Sequence, residues 1–130
     1  MVADRTLHEF YRQWNPALHT VAANDERVQI DVNEPVSLVN LAAYTGVFIL
    51  LPPVGQSVGK IFTVICSNRS SSGEGKVVPF GTITYATPTD GDDALMGSTV
   101  GAGVVFNGTN DRCCVYSDGL HWYVLSSMLS

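Results

Sequence analysis

Asp111-Arg112-Cys113-Cys114-Val115-Tyr116-Ser117-Asp118-Gly119-Leu120-His121-Trp122-Tyr123-Val124-Leu125-Ser126 reads as two β-strands around an Asp-Gly turn. Asp-Gly suits a type I′ turn, whose two central residues must both tolerate positive φ. With Asp118-Gly119 as the loop, Tyr116 is expected opposite His121, Val115 opposite Trp122 and Cys114 opposite Tyr123. Alternation then puts Cys113, Val115, Trp122 and Val124 on one face, and Cys114, Tyr116, His121 and Tyr123 on the other. The first face is apolar enough for a core. The second is aromatic and half polar, which suits contact with another surface, so Tyr116, His121 and Tyr123 are the expected subunit-interface residues. Trp122 and Tyr123 should part, one to the core and one to a neighbour.

Working outward, Gly46-Val47-Phe48-Ile49-Leu50-Leu51 is an apolar strand stopped by Pro52-Pro53, which cannot continue a ladder. A loop, Val54 to Lys60, leads to a second apolar strand, Ile61-Phe62-Thr63-Val64-Ile65-Cys66. Val28-Gln29-Ile30-Asp31-Val32 and Val36-Ser37-Leu38-Val39-Asn40-Leu41 alternate. Val77-Val78, Thr82-Ile83-Thr84-Tyr85 and Gly101 to Phe106 complete the set, the last leading through a hairpin-type turn at Asn107-Gly108. Short strands at about ten-residue spacing predict an all-β fold, an antiparallel sandwich or barrel of about eight strands.

Residues 4–14 have a different period. Leu7, Phe10, Tyr11 and Trp14 fall at i, i+3, i+4 and i+7, one stripe of an amphipathic helix, with Asp4 placed to cap it and Asn15-Pro16 to end it. So short a helix is marginal alone. Burying the four side chains is worth about 6–12 kcal/mol gross, so the stripe needs a surface to pack on: its own β-domain or a neighbouring subunit. The expected organisation is a helix-bearing arm over 1–27, with Ala17 to Arg27 as its connector, and a β-domain over 28–130.

Composition narrows the function. Charged residues make up only 15% of the chain against 45% hydrophobic, which points to surface buried against partners. A net charge of −5 opposes phosphate binding, so nucleic acid is not an expected partner. The N-terminal residues lack a signal-peptide core, and no stretch reaches a membrane span. Three cysteines, two of them adjacent, predict reduced thiols without a metal site.

Motifs for chemistry fail on inspection. Gly55-Gln56-Ser57-Val58-Gly59-Lys60 has three residues between its glycines and Ile61 after the lysine, so it is not a phosphate loop. Asp90, Asp92 and Asp93 could offer Ca²⁺ hard oxygens but lack the later glutamate of an EF-hand. Ser117, Asp118 and His121 lie close in sequence, yet Asp118 belongs to the turn, so a triad is not expected. Asn68-Arg69-Ser70 and Asn107-Gly108-Thr109 match glycosylation acceptors that only a secreted chain would use.

A strand ending in Leu-Pro, a loop ending in Gly-Lys, an apolar strand, and the closing Ser-Asp-Gly-x-x-Trp-Tyr-Val-Leu together resemble small β-domains of tailed-bacteriophage virion proteins, over roughly Val36 to Leu125. Such domains occur in head decoration (cement) proteins and in tail or head fibres. The resemblance implies a non-enzymatic structural role without cofactors, and a place on the capsid surface after assembly in the host cytoplasm. Its partners would be the major capsid protein and further copies of the chain, as trimers at local threefold positions. A decoration protein would use Leu7, Phe10, Tyr11 and Trp14 to anchor on the capsid. A fibre domain would instead bind a host glycan, with Trp122 and Tyr123 as a stacking platform. An unrelated enzyme or intracellular binding module is the third reading, and no acid, base or nucleophile constellation recommends it.

Overall fold

The computed structural model describes residues 16–85, 94–96 and 103–130. Over these the chain forms ten strands: β1 (Ala17–Thr20), β2 (Arg27–Gln29), β3 (Val36–Ala42), β4 (Val47–Leu50), β5 (Ile61–Arg69), β6 (Gly75–Val78), β7 (Ala94–Met96), β8 (Val104–Phe106), β9 (Arg112–Ser117) and β10 (His121–Met128). They build a six-stranded sheet, ordered β1-β3-β5-β9-β10-β7, and a four-stranded sheet, ordered β2-β4-β6-β8.

From β1 to β6 the chain alternates between the sheets. Each strand lies parallel to the one two places before it: β3 on β1, β5 on β3, β4 on β2 and β6 on β4. This is a wound coil with one strand in each sheet per turn. Ala17 stands beside Ser37 and Arg27 beside Phe48, advances of 20 and 21 residues. Val36 stands beside Thr63 and Val47 beside Gly75, advances of 27 and 28. The longer second turn carries the Pro52–Lys60 loop, with a 3-10 turn at Val54–Gln56. After β6 the direction reverses: β8 pairs antiparallel with β6, β9 with β5 and β10 with β9. β7 lies parallel to β10.

The all-β expectation holds, and the antiparallel one does not. Five of the eight strand pairings are parallel, and both sheets have open edges. The alternation that reveals a strand is the same for parallel and antiparallel neighbours, so the pattern did not distinguish them. Asn107-Gly108 makes no hairpin. The 107–111 turn carries the chain from β8 in the small sheet to β9 in the large one. Ala17–Thr20, expected in a connector, is an edge strand of the large sheet, and Thr82 to Tyr85 is not a strand. The helix expected over 4–14 lies outside the described residues.

The core lies between the sheets. Register stacks Val28, Ile49, Val77 and Val104 in one row across the small sheet, all buried. Facing them are Val39, Leu41, Phe62, Val64, Cys66, Cys113, Val115 and Trp122 of the large sheet. Each such side chain contributes about 1.5–3 kcal/mol gross. Phe62 and Trp122 meet edge to face with ring centroids 5.6 Å apart. The Trp122 indole N–H is buried without a hydrogen-bond partner, a cost that the packing of its ring has to exceed. Gly75 continues the inner side of β6. A Cβ there would stand 3.0 Å from a Leu41 methyl and 3.3 Å from one of Ile49, so the stack admits no larger residue without a shift.

Candidate functional site

Alternation sends the remaining side chains of the large sheet outward, and register sorts them into rows. Leu18, Leu38, Ile65, Arg112 and Met128 form the first. Val36, Thr63, Cys114 and Ser126 form the second, and Ile61, Tyr116 and Tyr123 the third. Arg112 is the one formal charge in these rows, and its guanidinium reaches the Met128 Sδ at 3.3 Å. The Thr63 hydroxyl donates to the Cys114 Sγ at 3.8 Å. Leu18 is 75% exposed and Ile61 51%. Leu38, Ile65, Val36, Tyr116 and Tyr123 are half-buried.

The hairpin ends the third row. The Asp118 N–H donates to the His121 carbonyl at 3.2 Å, so the two central residues are Gly119 and Leu120 rather than Asp118 and Gly119. Glycine at the first central position, with φ 95°, is the requirement of a type II′ turn. The register moves by two residues: Val115 faces Val124 and Tyr116 faces Tyr123. A shift of two preserves the faces, so the expected division survives although the partners change. Trp122 is wholly buried and Tyr123 points outward. His121 lies on the outer side with them, its ring 6.5 Å from that of Tyr123.

Asp118 organises this end. Its Oδ1 accepts the His121 N–H at 2.7 Å and the Leu120 N–H at 2.8 Å. Its Oδ2 accepts the Tyr123 hydroxyl at 3.1 Å. The two backbone bonds, His121 first, hold the carboxyl below the usual carboxylate range, and the same carboxylate pushes the Tyr123 phenol up. Ser117 points the other way, buried. Its hydroxyl donates to the Val54 carbonyl at 2.9 Å and accepts the Gly119 N–H at 3.1 Å. Ser117 and His121 therefore stand on opposite faces and cannot act as nucleophile and base.

A depression opens beside Ile61. Val32, Pro35, Val36, Lys60, Ile61 and Thr63 line it, around a cavity of about 550 Å³. The Lys60 Nζ sits on its rim and donates to the Val32 carbonyl at 3.1 Å. Next to it Val58 is 62% exposed and Leu120 73%. Val58 packs on the turn, since a Cβ on Gly119 would come within 2.8 Å of its Cγ2. Gly55 to Lys60 runs from the 3-10 turn into β5, a loop before a strand as its spacing indicates.

The expected interface residues Tyr116, His121 and Tyr123 are thus brought to one face. The expected anchors Leu7, Phe10, Tyr11 and Trp14, and the acidic run Asp90, Asp92 and Asp93, lie outside the described residues. His19 pairs with the Glu34 carboxylate at 2.8 Å. No group of three metal-ligating side chains occurs among the described residues. Sequence reasoning missed Leu18, Leu38, Ile61 and Ile65 as surface residues. The available signal was that Val36–Leu41 and Ile61–Cys66 are apolar at positions of both parities, so each strand presents apolar side chains on both sides. Comparison of the chain with protein-family models, curated proteins and solved structures finds no match.

Proposed function

We propose that this chain is a non-enzymatic bacteriophage virion structural protein, a decoration protein that binds and stabilises the assembled capsid as an oligomer, in the form of a trimer. The observation that carries the reading is the outer face of the large sheet, where Leu18, Leu38, Ile65, Val36, Ile61, Tyr116 and Tyr123 lie in three registered rows with Arg112 as their one formal charge, beside a polar row of Thr20, Asn40 and Asn68. Broad apolar surface of this kind marks contact with another protein. Such a protein binds the assembled shell and not the free capsid subunit, so occupancy raises the free energy of shell disruption by mass action. Its partners are then the major capsid protein and other copies of itself, on the capsid surface.

The wound coil favours a second reading, a tail or head fibre domain, because parallel turns stack into a shaft. In that case Trp122 does not serve as a sugar platform, being in the core, and the exposed ring for a glycan is Tyr123.

The test is binding of the purified chain to undecorated heads of the phage that encodes it. Decoration predicts saturable occupancy at many copies per shell and a higher temperature of shell disruption. Absence of binding, together with a glycan hit that Tyr123→Ala abolishes, would replace decoration with the fibre reading.

A further inference from the structure

The hairpin tip and the depression lie at the same end of the large sheet, and neither is explained by the fold of one chain. A two-residue turn asks for glycine and polar residues. Leu120 meets no such demand and is 73% exposed. Beside it the carboxylate of Asp118 is exposed, its Oδ1 held by the Leu120 and His121 amides and its Oδ2 by the Tyr123 hydroxyl. The depression has the complementary properties. Its lining is mostly apolar, with Asn33 and Thr63 as polar members, its volume of about 550 Å³ accommodates a leucine side chain, and Lys60 is the one charged residue that lines it. Backbone bonds tie the two features together: the Ser117 N–H donates to the Lys60 carbonyl at 3.1 Å and the Gly59 N–H to the Ser117 carbonyl at 2.8 Å. Knob and hole are therefore held at a fixed spacing on one rigid end.

We infer that the occupant of the depression is the hairpin tip of a second copy of this chain, with Leu120 seated against the apolar lining and Asp118 opposite Lys60. The contact rests on the self-association proposed above and names the surface that makes it. It covers the exposed side chains clustered at this end, Val58, Ile61 and Leu120, and pairs opposite charges at its edge, which favours the correct register and rejects like-charged alternatives. Knob and hole are separate patches. Used head to tail they close a ring such as a trimer, and used reciprocally they make a twofold pair.

Light scattering on the full chain over a concentration series tests this. Wild type is expected to associate. Leu120→Asp, which spoils the knob, and Lys60→Glu, which spoils the rim of the hole, are each expected to weaken association by about tenfold or more. Far-UV circular dichroism and thermal melting should show both variants folded. The decisive measurement mixes the two at a concentration where each variant alone is monomeric: the intact knob of the Lys60→Glu chain fits the intact hole of the Leu120→Asp chain, so the mixture forms a heterodimer. A wild-type chain that stays monomeric would overturn both the contact and the proposed self-association. Association unchanged in both variants, or a mixture that stays monomeric, would overturn the contact alone. Binding of these variants to heads, measured separately, reads the decoration role.

Discussion

The two sheets treat their outer faces differently. On the small sheet Phe48, Leu50 and Val78 point away from the core, and they are 7%, 5% and 0% exposed. The chain covers them itself. The segment from Pro79 to Tyr85 returns across that face, and Tyr85 meets Phe48 edge to face at 5.6 Å. Lys76 stands over the Tyr85 ring at 4.3 Å and donates to its carbonyl at 2.9 Å, while the Tyr85 hydroxyl donates to Glu74 at 2.8 Å. Arg27 lies over the Phe48 ring at 4.6 Å and donates to the Thr82 carbonyl. On the large sheet Leu18 and Ile61 remain largely exposed, and the one charge in the rows, Arg112, contacts a thioether. An apolar sheet face must be covered by something. One face is covered in cis, with cations and hydrogen bonds to hold the cover. The other has no such cover among the described residues.

Adjacent thiols give the largest expected contrast between inside and outside. Burial, then the neighbouring Cys114, pushes the Cys113 thiol up to about 12, and Cys113 faces the core whereas Cys114 lies on the outer face. A thiol reagent should label Cys113 about 1000-fold more slowly than Cys114, because it must await an opening that costs ~4 kcal/mol. Comparable rates would remove the distinction between the faces. The raised value has a sign for stability. Above the ordinary value of 9.0 the unfolded thiol ionises first, so stability falls as pH rises toward about 12, by about 1.4 kcal/mol per pH unit.

Substitution across the two outer faces comes next. Phe48→Ala should cost about 3–5 kcal/mol in denaturant unfolding, and Leu18→Ala under about 0.5. Equal losses would mean that the two faces are equally covered. Tyr85→Phe removes the hydroxyl bond to Glu74 and should cost about 1 kcal/mol, which measures how firmly the cover is held. The smallest effect belongs to the hairpin. The Asp118 carboxyl lies below its ordinary value, so its contribution is present above that value and fades as pH falls through the lowered one. Chemical shifts of the Leu120 and His121 amides followed to acid pH should report a local change, and Asp118→Asn should abolish that titration.

Much of this arrangement was legible in the residues. The strand over 46–51 and the strand over 61–66 are where the apolar runs placed them. Trp122 and Tyr123 also part to opposite faces, Trp122 to the core, because alternation within a strand does not depend on its partner. The winding was not legible. A coil advancing 20 residues in one turn and 27 in the next leaves no constant period to detect, and two-residue alternation is silent about which strand lies alongside. Thr82 to Tyr85 resembled a strand because threonine, isoleucine and tyrosine favour one. It became a cover because Phe48 and Lys76 offered Tyr85 a better contact. The depression joins residues 32–36 to residues 60–63, a pairing that exists only after the chain has wound.

The coil also dictates an order of events during synthesis. A parallel neighbour is reached only after a full turn of chain, so each of the first six strands closes a long loop before gaining a ladder. β9 and β10 need only a two-residue turn, and β9 is also the antiparallel neighbour of β5. The quickest nucleus therefore forms only once β10 has been made, and the coil is expected to anneal onto it in reverse, from β5 back toward β1. A nascent chain stalled before Arg112 would display the apolar strands 47–50 and 61–66 with no template to settle on, the state in which a chaperone would be most needed.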